Sequence, residues 1–238
     1  MQLVVCDTTI LLPGLVNEDG LYRKILIVFA WGKLHHELRA LQDERAAAER
    51  MVADIPGAEL GGDWNARGIE ALHNRISRLE EHLPVMTPKD FGLVVSTPIL
   101  EELEHNMAAN REPLGNQEPE AIQQFRWAAA AIATVLVPTG FDGQIPPYTE
   151  GRDPKDDPVV HTAILSRAEW IYTQDAKHIA LDHRRPTEYV DPQSGRVHRA
   201  VRTRWFLENV LCSGYHFDEN HLREIEGKLL NIAVGQAA

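Results

Sequence analysis

Hydrophobic and polar positions fall into blocks along this chain, and each block predicts an element. The run "QLVVCD" (Gln2 to Asp7) is short and β-branched, the pattern of a buried strand, and it ends on an aspartate. From Leu21 to about Asp54 the chain is rich in Leu, Ala, Glu and Arg at helical spacing, with Leu34, Leu38 and Leu41 on one face. "IPGAELGGDWN" breaks that pattern, and a second helix is predicted over Ala66 to Leu83, where Ile69, Leu72, Ile76 and Leu79 recur every three or four residues. Together the two arms predict a helical hairpin, about residues 32–88, whose charged outer faces suit exposure or a partner.

The second half repeats a strand-then-helix theme. Phe91 to Val95 predicts a strand, Ser96 an N-cap, Pro98 a first turn, and the helix that follows carries Glu101 and Glu102. Glu101 is expected to face solvent, whereas Glu102, three residues beyond Ile99, shares an apolar face. Glu120 to Thr134 predicts another helix and "VLVP" a short strand. A helix over Pro158 to Ala168 leads into "EWIYTQD", a second strand ending in an aspartate, Asp175. "RAVRTRWFLENVL" then predicts a strand and a helix, and Glu219 to Val234 a helix outside the core, an extension of about residues 216–238. Strands alternating with helices predict one α/β domain over 1–238 with a central parallel sheet, whose site lies beyond the carboxyl ends of the strands.

Composition sharpens this picture in two places. At 238 residues and 44% hydrophobic content the chain can bury a sizeable core, while its apolar runs, "ILIVFAW" and "AAAAIATVLV", are shorter than the roughly 18 residues a bilayer span needs. No basic segment with an apolar signal core opens the sequence, and two cysteines make neither a disulfide framework nor a zinc set. A cytoplasmic protein is expected. A net charge of −11 argues against generic nucleic-acid binding, yet Ala176 to Trp205 holds seven Lys or Arg against three acids. That stretch is either a basic patch or a solvated face whose arginines pair with acids elsewhere.

The chemistry-bearing segment is "GRDPKDDPVVHTAIL", with Asp153, Asp156 and Asp157 inside five positions. One aspartate before Pro158 suffices to cap the helix, and Asp157 is assigned that role. Surplus acids that converged with Asp7 and Asp175 would repel one another unless a proton or cation intervened, so they point toward a metal site. The sequence shows no HExxH spacing, Gly-rich phosphate loop, Ser-His-Asp arrangement or cysteine nucleophile.

The segments "VVCDTTILL", "VVSTPILEEL", "DPKDDPVVHTAI" and "AEWIYTQD", in this order across nearly the whole chain, resemble the PIN domain family of metal-dependent ribonucleases. The resemblance implies a three-layer α/β/α fold and a Mg²⁺- or Mn²⁺-dependent endoribonuclease that hydrolyses RNA with a metal-activated water. Carried over to this chain, it implies Asp7, Glu102, Asp156 and Asp175 as metal ligands and catalytic acids. Within its cluster the resemblance favours Asp156, which stands seven residues before Ala163, the small residue on the inner helix face in the family pattern, whereas Asp157 would be out of step by one. Thr8, Ser96, Asp153, Asp157 and Thr173 would support the site, and Arg184, Arg185, Arg199 and Arg202 would contact RNA phosphates.

Compact members are often toxins with an antitoxin partner, but the added hairpin and acidic surface depart from them, as does Thr9 where many members carry Asn. A homodimer through the hairpin is a further expectation. Two rivals stand beside the nuclease. One is a non-catalytic PIN-like RNA-binding or scaffold protein that assembles through its hairpin. The other is a hydrolase or phosphatase with Asp7 as nucleophile, which lacks the second aspartate two residues on, since Thr9 stands there.

Overall fold

Val4, Val5 and Cys6 of strand β1 (Gln2–Cys6) have no exposed surface, so both faces of the strand are covered and it belongs inside a sheet. A computed structural model describes residues 2–17, 20–53, 63–82, 91–109, 119–136, 156–177 and 179–211. Within it, β1 pairs in parallel with β2 (Phe91–Ser96) on one side and β4 (Trp170–Tyr172) on the other. β3 (Ala133–Leu136) extends the sheet beyond β2, and β6 (Val197–Val201) extends it beyond β4. β5 (Thr187–Val190) closes the far edge as the one antiparallel strand of a six-stranded sheet ordered β3-β2-β1-β4-β6-β5.

Seven helices accompany the sheet among the described residues: α1 (Thr8–Val16), α2 (Leu21–Ala53), α3 (Asp63–His82), α4 (Thr97–Ala108), α5 (Pro119–Ile132), α6 (Asp157–Ser166) and α7 (Thr203–Phe206). A π-helical turn, Leu207–Leu211, continues α7. α2 packs on β2 and β3, and α6 on β1, β2 and β4. The connections from β1 to β2 and from β2 to β3 step one way along the sheet, while that from β3 to β4 steps back across β1. The result is an α/β architecture, a mostly parallel six-stranded sheet with helices packed against it.

α2 changes character along its length. Ile25 through Trp31 are all buried, as in a helix covered on every side. Beyond Gly32, among the described residues, Leu38 and Leu41 are the buried ones, where α2 packs on α3 with its buried Ile76 and Leu79. The spacing that predicted the hairpin is thus the spacing of its buried seam.

Three local expectations need correction. Helix α1 is absent from the sequence reading, because "TTILLPGLV" is apolar without a helical period and contains Pro13, which removes an internal hydrogen bond. Burial of Ile10, Leu11 and Leu15 forms it nonetheless, and Gly14 permits the crossing: a Cβ there would lie 2.6 Å from Leu26 Cδ1. Strand β5 was missed because its four residues follow a proline and gain their hydrogen bonds only from β6. Gly195, at φ 71°, serves the turn that returns the chain to β6. Lastly, α5 stops at Ile132 and β3 starts at Ala133, two residues earlier than "VLVP", because pairing with β2 overrides the helix propensity of alanine. Asp153 and the C-terminal helix expected over Glu219 to Val234 lie outside the described residues.

Candidate functional site

The strand order reverses direction between β1 and β4, since β1 leads toward β2 while β4 leads toward β6. In open α/β sheets the crevice beyond the carboxyl ends of strands at such a switch point is where ligands bind. Asp7 follows β1 there, and Thr173, Gln174 and Asp175 follow β4. The backbone joins them directly, with Asp7 N–H donating to the Tyr172 carbonyl at 3.1 Å.

Asp7 is only 4% exposed, and its carboxylate is surrounded by threonine hydroxyls. Thr173 Oγ1 donates to Oδ2 at 2.6 Å, Thr9 Oγ1 donates to Oδ2 at 2.7 Å, and Thr8 Oγ1 donates to Oδ1 at 3.3 Å. Burial first, and the Asp7 charge second, push the neighbouring Cys6 thiol well above the usual thiol range. Beyond Thr173, the Asp175 N–H donates to Thr173 Oγ1 at 2.9 Å, and Asp175 Oδ1 accepts the Lys177 N–H at 2.7 Å, an Asx turn.

A second feature concerns the helices that start at this edge. Asp7 and Ser96 occupy the N-cap positions of α1 and α4 with extended backbone, residue types well suited to capping, yet neither makes a side-chain cap hydrogen bond; Asp156, before α6, already has helical dihedrals. The Asp7 side chain turns to Thr9 and Thr173, and the Ser96 hydroxyl, 2% exposed, bonds to Thr162 at 2.7 Å. Thr162 Oγ1 also donates to the Pro158 carbonyl at 2.6 Å, which fastens the first turn of α6 to the end of β2. The expected division of roles between Asp156 and Asp157 shifts by one residue. Asp156 holds the N-cap position, while Asp157 is the first helical residue and only 4% exposed. α6 starts one residue early because a proline is also tolerated at the second helical position, where its missing N–H costs no bond.

Glu102 lies on α4, half-buried, with Asn106 Nδ2 donating to Oε1 at 3.5 Å, whereas Glu101 is exposed. α4 packs against α1 and α6, the two helices that carry Asp7 and the Asp156–Asp157 pair at their starts. The hydrogen bonds therefore bring Asp7, Thr8, Thr173 and Asp175 into one network and tie Ser96 to α6. The sequence marked Thr9 as a departure at the position that bears on support of Asp7, but it gave no sign of the roles of Thr162 and Gln174, since Thr162 is visible only as a polar residue inside an apolar helix.

The four arginine candidates separate. Arg199 meets Glu169 at 3.2 Å and Glu188 at 3.3 Å, with its guanidinium 5.9 Å from the Trp170 ring centre. Arg185 pairs with Asp182 at 3.0 Å and Arg184 Nε donates to His183 Nε2 at 3.3 Å. The Arg184 backbone N–H first, and the Arg185 guanidinium after it, hold the Asp182 carboxyl below the usual range. For Arg199 and Arg185 the solvated, acid-paired face describes the observation better than a free basic patch. Arg202 differs, because it immediately follows β6 at the same sheet edge as Asp7 and Asp175.

Comparison with known proteins found no match for this chain among family models, curated proteins or solved structures. The donor atoms at the edge are carboxylate and hydroxyl oxygens, the ligand type that Mg²⁺ and Mn²⁺ prefer. Among the described residues no three His, Cys, Asp or Glu side chains form a group that could hold a metal ion. The chemistry of the donors fits a hard cation, and Mg²⁺ commonly takes only one or two carboxylates directly and keeps water for the rest. None of the described helices is long and apolar enough to cross a membrane.

Proposed function

We propose that this chain is a PIN-like endoribonuclease whose site lies at the carboxyl edge of the sheet around Asp7, Asp156, Asp157, Asp175 and Glu102. The observation that carries the reading is that Asp7 and Ser96, the N-cap residues of α1 and α4, both withhold their side chains from capping at one edge. An N-cap hydrogen bond is worth about 1 kcal/mol, and side chains that forgo it where the sheet places its ligand crevice have another use. In this reading Asp7, held rigid by hydroxyls, presents its carboxylate at the switch point, and the acids of α6 and α4 stand on the flanking helices. Arg202 supplies a positive group for a phosphate at the same edge. A bound Mg²⁺ or Mn²⁺ would acidify a water and neutralise charge on a phosphodiester oxygen.

The experiment is cleavage of mixed single-stranded and structured RNA by purified protein with Mg²⁺, Mn²⁺ or EDTA, beside an Asp7→Asn, Asp156→Asn double variant. Metal-dependent cleavage that vanishes in the variant supports the nuclease. Equal inertness of both proteins, with RNA or protein binding retained, sinks it in favour of a non-catalytic scaffold. That second reading is favoured by the α2–α3 hairpin, whose outer faces are exposed along most of their length. A toxin-like role with an antitoxin, or a dimer through the hairpin, would fit either reading.

A further inference from the structure

Thr9 is solvent-exposed, yet its hydroxyl reaches the buried Asp7 carboxylate at 2.7 Å. The same oxygen accepts the Gln174 N–H at 3.0 Å, just as Thr173 Oγ1 accepts the Asp175 N–H at 2.9 Å. Each hydroxyl has a single proton. The two threonine oxygens are 3.4 Å apart, but both lie much nearer to Asp7 Oδ2, which is the stronger acceptor. Both protons therefore point at Oδ2, and that oxygen is filled by two short hydrogen bonds. Among the described residues Oδ1 receives one hydrogen bond, at 3.3 Å from Thr8. The carboxylate cannot rotate about its terminal bond without breaking both short bonds, and Thr9 also fastens the start of α1 to the residue that follows Thr173.

We infer that Thr9 is a positioning residue: with Thr173 it pins Asp7 so that Oδ1 alone is offered to a ligand, and it joins the ends of β1 and β4 into one rigid rim. This rests on the reading of Asp7 as a site acid. A cation at this edge would meet Asp7 through one oxygen, and the Thr9 hydroxyl would set the direction of that oxygen without touching the cation. Groups that orient a ligand in this way commonly change metal affinity by about 10- to 100-fold when removed.

The test compares wild type with Thr9→Val, Thr9→Ser and Asp7→Asn. Mn²⁺ binding is followed by the loss of the free-ion signal in electron paramagnetic resonance, and thermal melting is measured for each protein and for the Thr9→Val, Asp7→Asn double variant. Thr9→Val is expected to weaken Mn²⁺ binding about 10-fold, and Thr9→Ser, which keeps the hydroxyl, to stay within about threefold of wild type. The melting shift caused by Thr9→Val is expected to shrink by at least half when Asp7 is already Asn. Wild-type affinity in Thr9→Val, equal loss in Thr9→Ser, or additive melting shifts would each overturn the positioning role. Should wild type bind no Mn²⁺ while the melting shifts remain non-additive, the metal reading fails and the pinning of Asp7 stands.

Discussion

Replacing Thr173 by valine keeps the volume and shape of the side chain and removes one hydroxyl. Thr173 has no exposed surface, so water does not enter to replace what is lost. Two bonds disappear: the 2.6 Å donation to the Asp7 carboxylate and the 2.9 Å acceptance of the Asp175 N–H. A hydrogen bond to a charged group contributes about 1.5–3 kcal/mol and a neutral one about 0.5–1.5 kcal/mol, so Thr173→Val is expected to cost about 2–4.5 kcal/mol. For a chain of this size that is a fall in melting temperature of roughly 4–18 °C. Urea denaturation of wild type, Thr173→Val, Asp7→Asn and the double variant, followed by far- and near-ultraviolet circular dichroism to check for a single transition, measures it. The coupling between Thr173 and Asp7 should be about 1.5–3 kcal/mol. A Thr173→Val protein within about 0.5 kcal/mol of wild type, or strict additivity with Asp7→Asn, would show that the hydroxyls do not stabilise a buried carboxylate.

Three further outcomes follow from the same geometry. Gly14→Ala places a methyl 2.6 Å from Leu26 Cδ1 and 3.2 Å from the Tyr22 carbonyl carbon, so it should destabilise by about 1–3 kcal/mol in urea melts, and a neutral result would show that α1 and α2 can separate freely. Burial lowers the pKa of His161, so below about pH 6.5 the unfolded chain takes up a proton that the fold resists; stability should fall as pH drops, by up to about 1.4 kcal/mol per unit, and His161→Gln should flatten that slope between pH 7 and 5. In RNA-binding titrations Arg202→Ala should weaken affinity uniformly across sequences and reduce the salt slope by about one, whereas Arg199→Ala, which loses Glu169 and Glu188, should leave the slope alone and cost at most about 1 kcal/mol of stability.

Much of the architecture was legible because its signals are local. β1, β2 and β4 are short runs of buried residues, and the hairpin seam through Leu38, Leu41, Ile76 and Leu79 repeats at helical spacing. The acids at strand ends were legible too, since a parallel sheet puts Asp7 and Asp175 on one edge once β1 and β4 are recognised. What escaped depends on partners distant in sequence. α1 exists because α2 and α4 cover it, and β5 because β6 pairs with it. The Thr9 contacts join residues separated by 164 and 165 positions, which no spacing rule anticipates. The charge of the segment after Asp175 was visible, but its neutralisation by Glu169, Glu188 and Asp182 required the fold.

α2 runs from Leu21 to Ala53 as one helix, 33 residues or about 50 Å, with its first part inside the core and its remainder paired with α3. No loop separates the two parts, so the hairpin is continuous with a core helix rather than a tethered module. Phe29, in the core part of α2, packs edge-on against Phe91 at the start of β2. Excising the hairpin for structural or engineering purposes would accordingly mean cutting a core helix in the middle, and a replacement joint would have to hold Ile25 through Trp31 in place on its own.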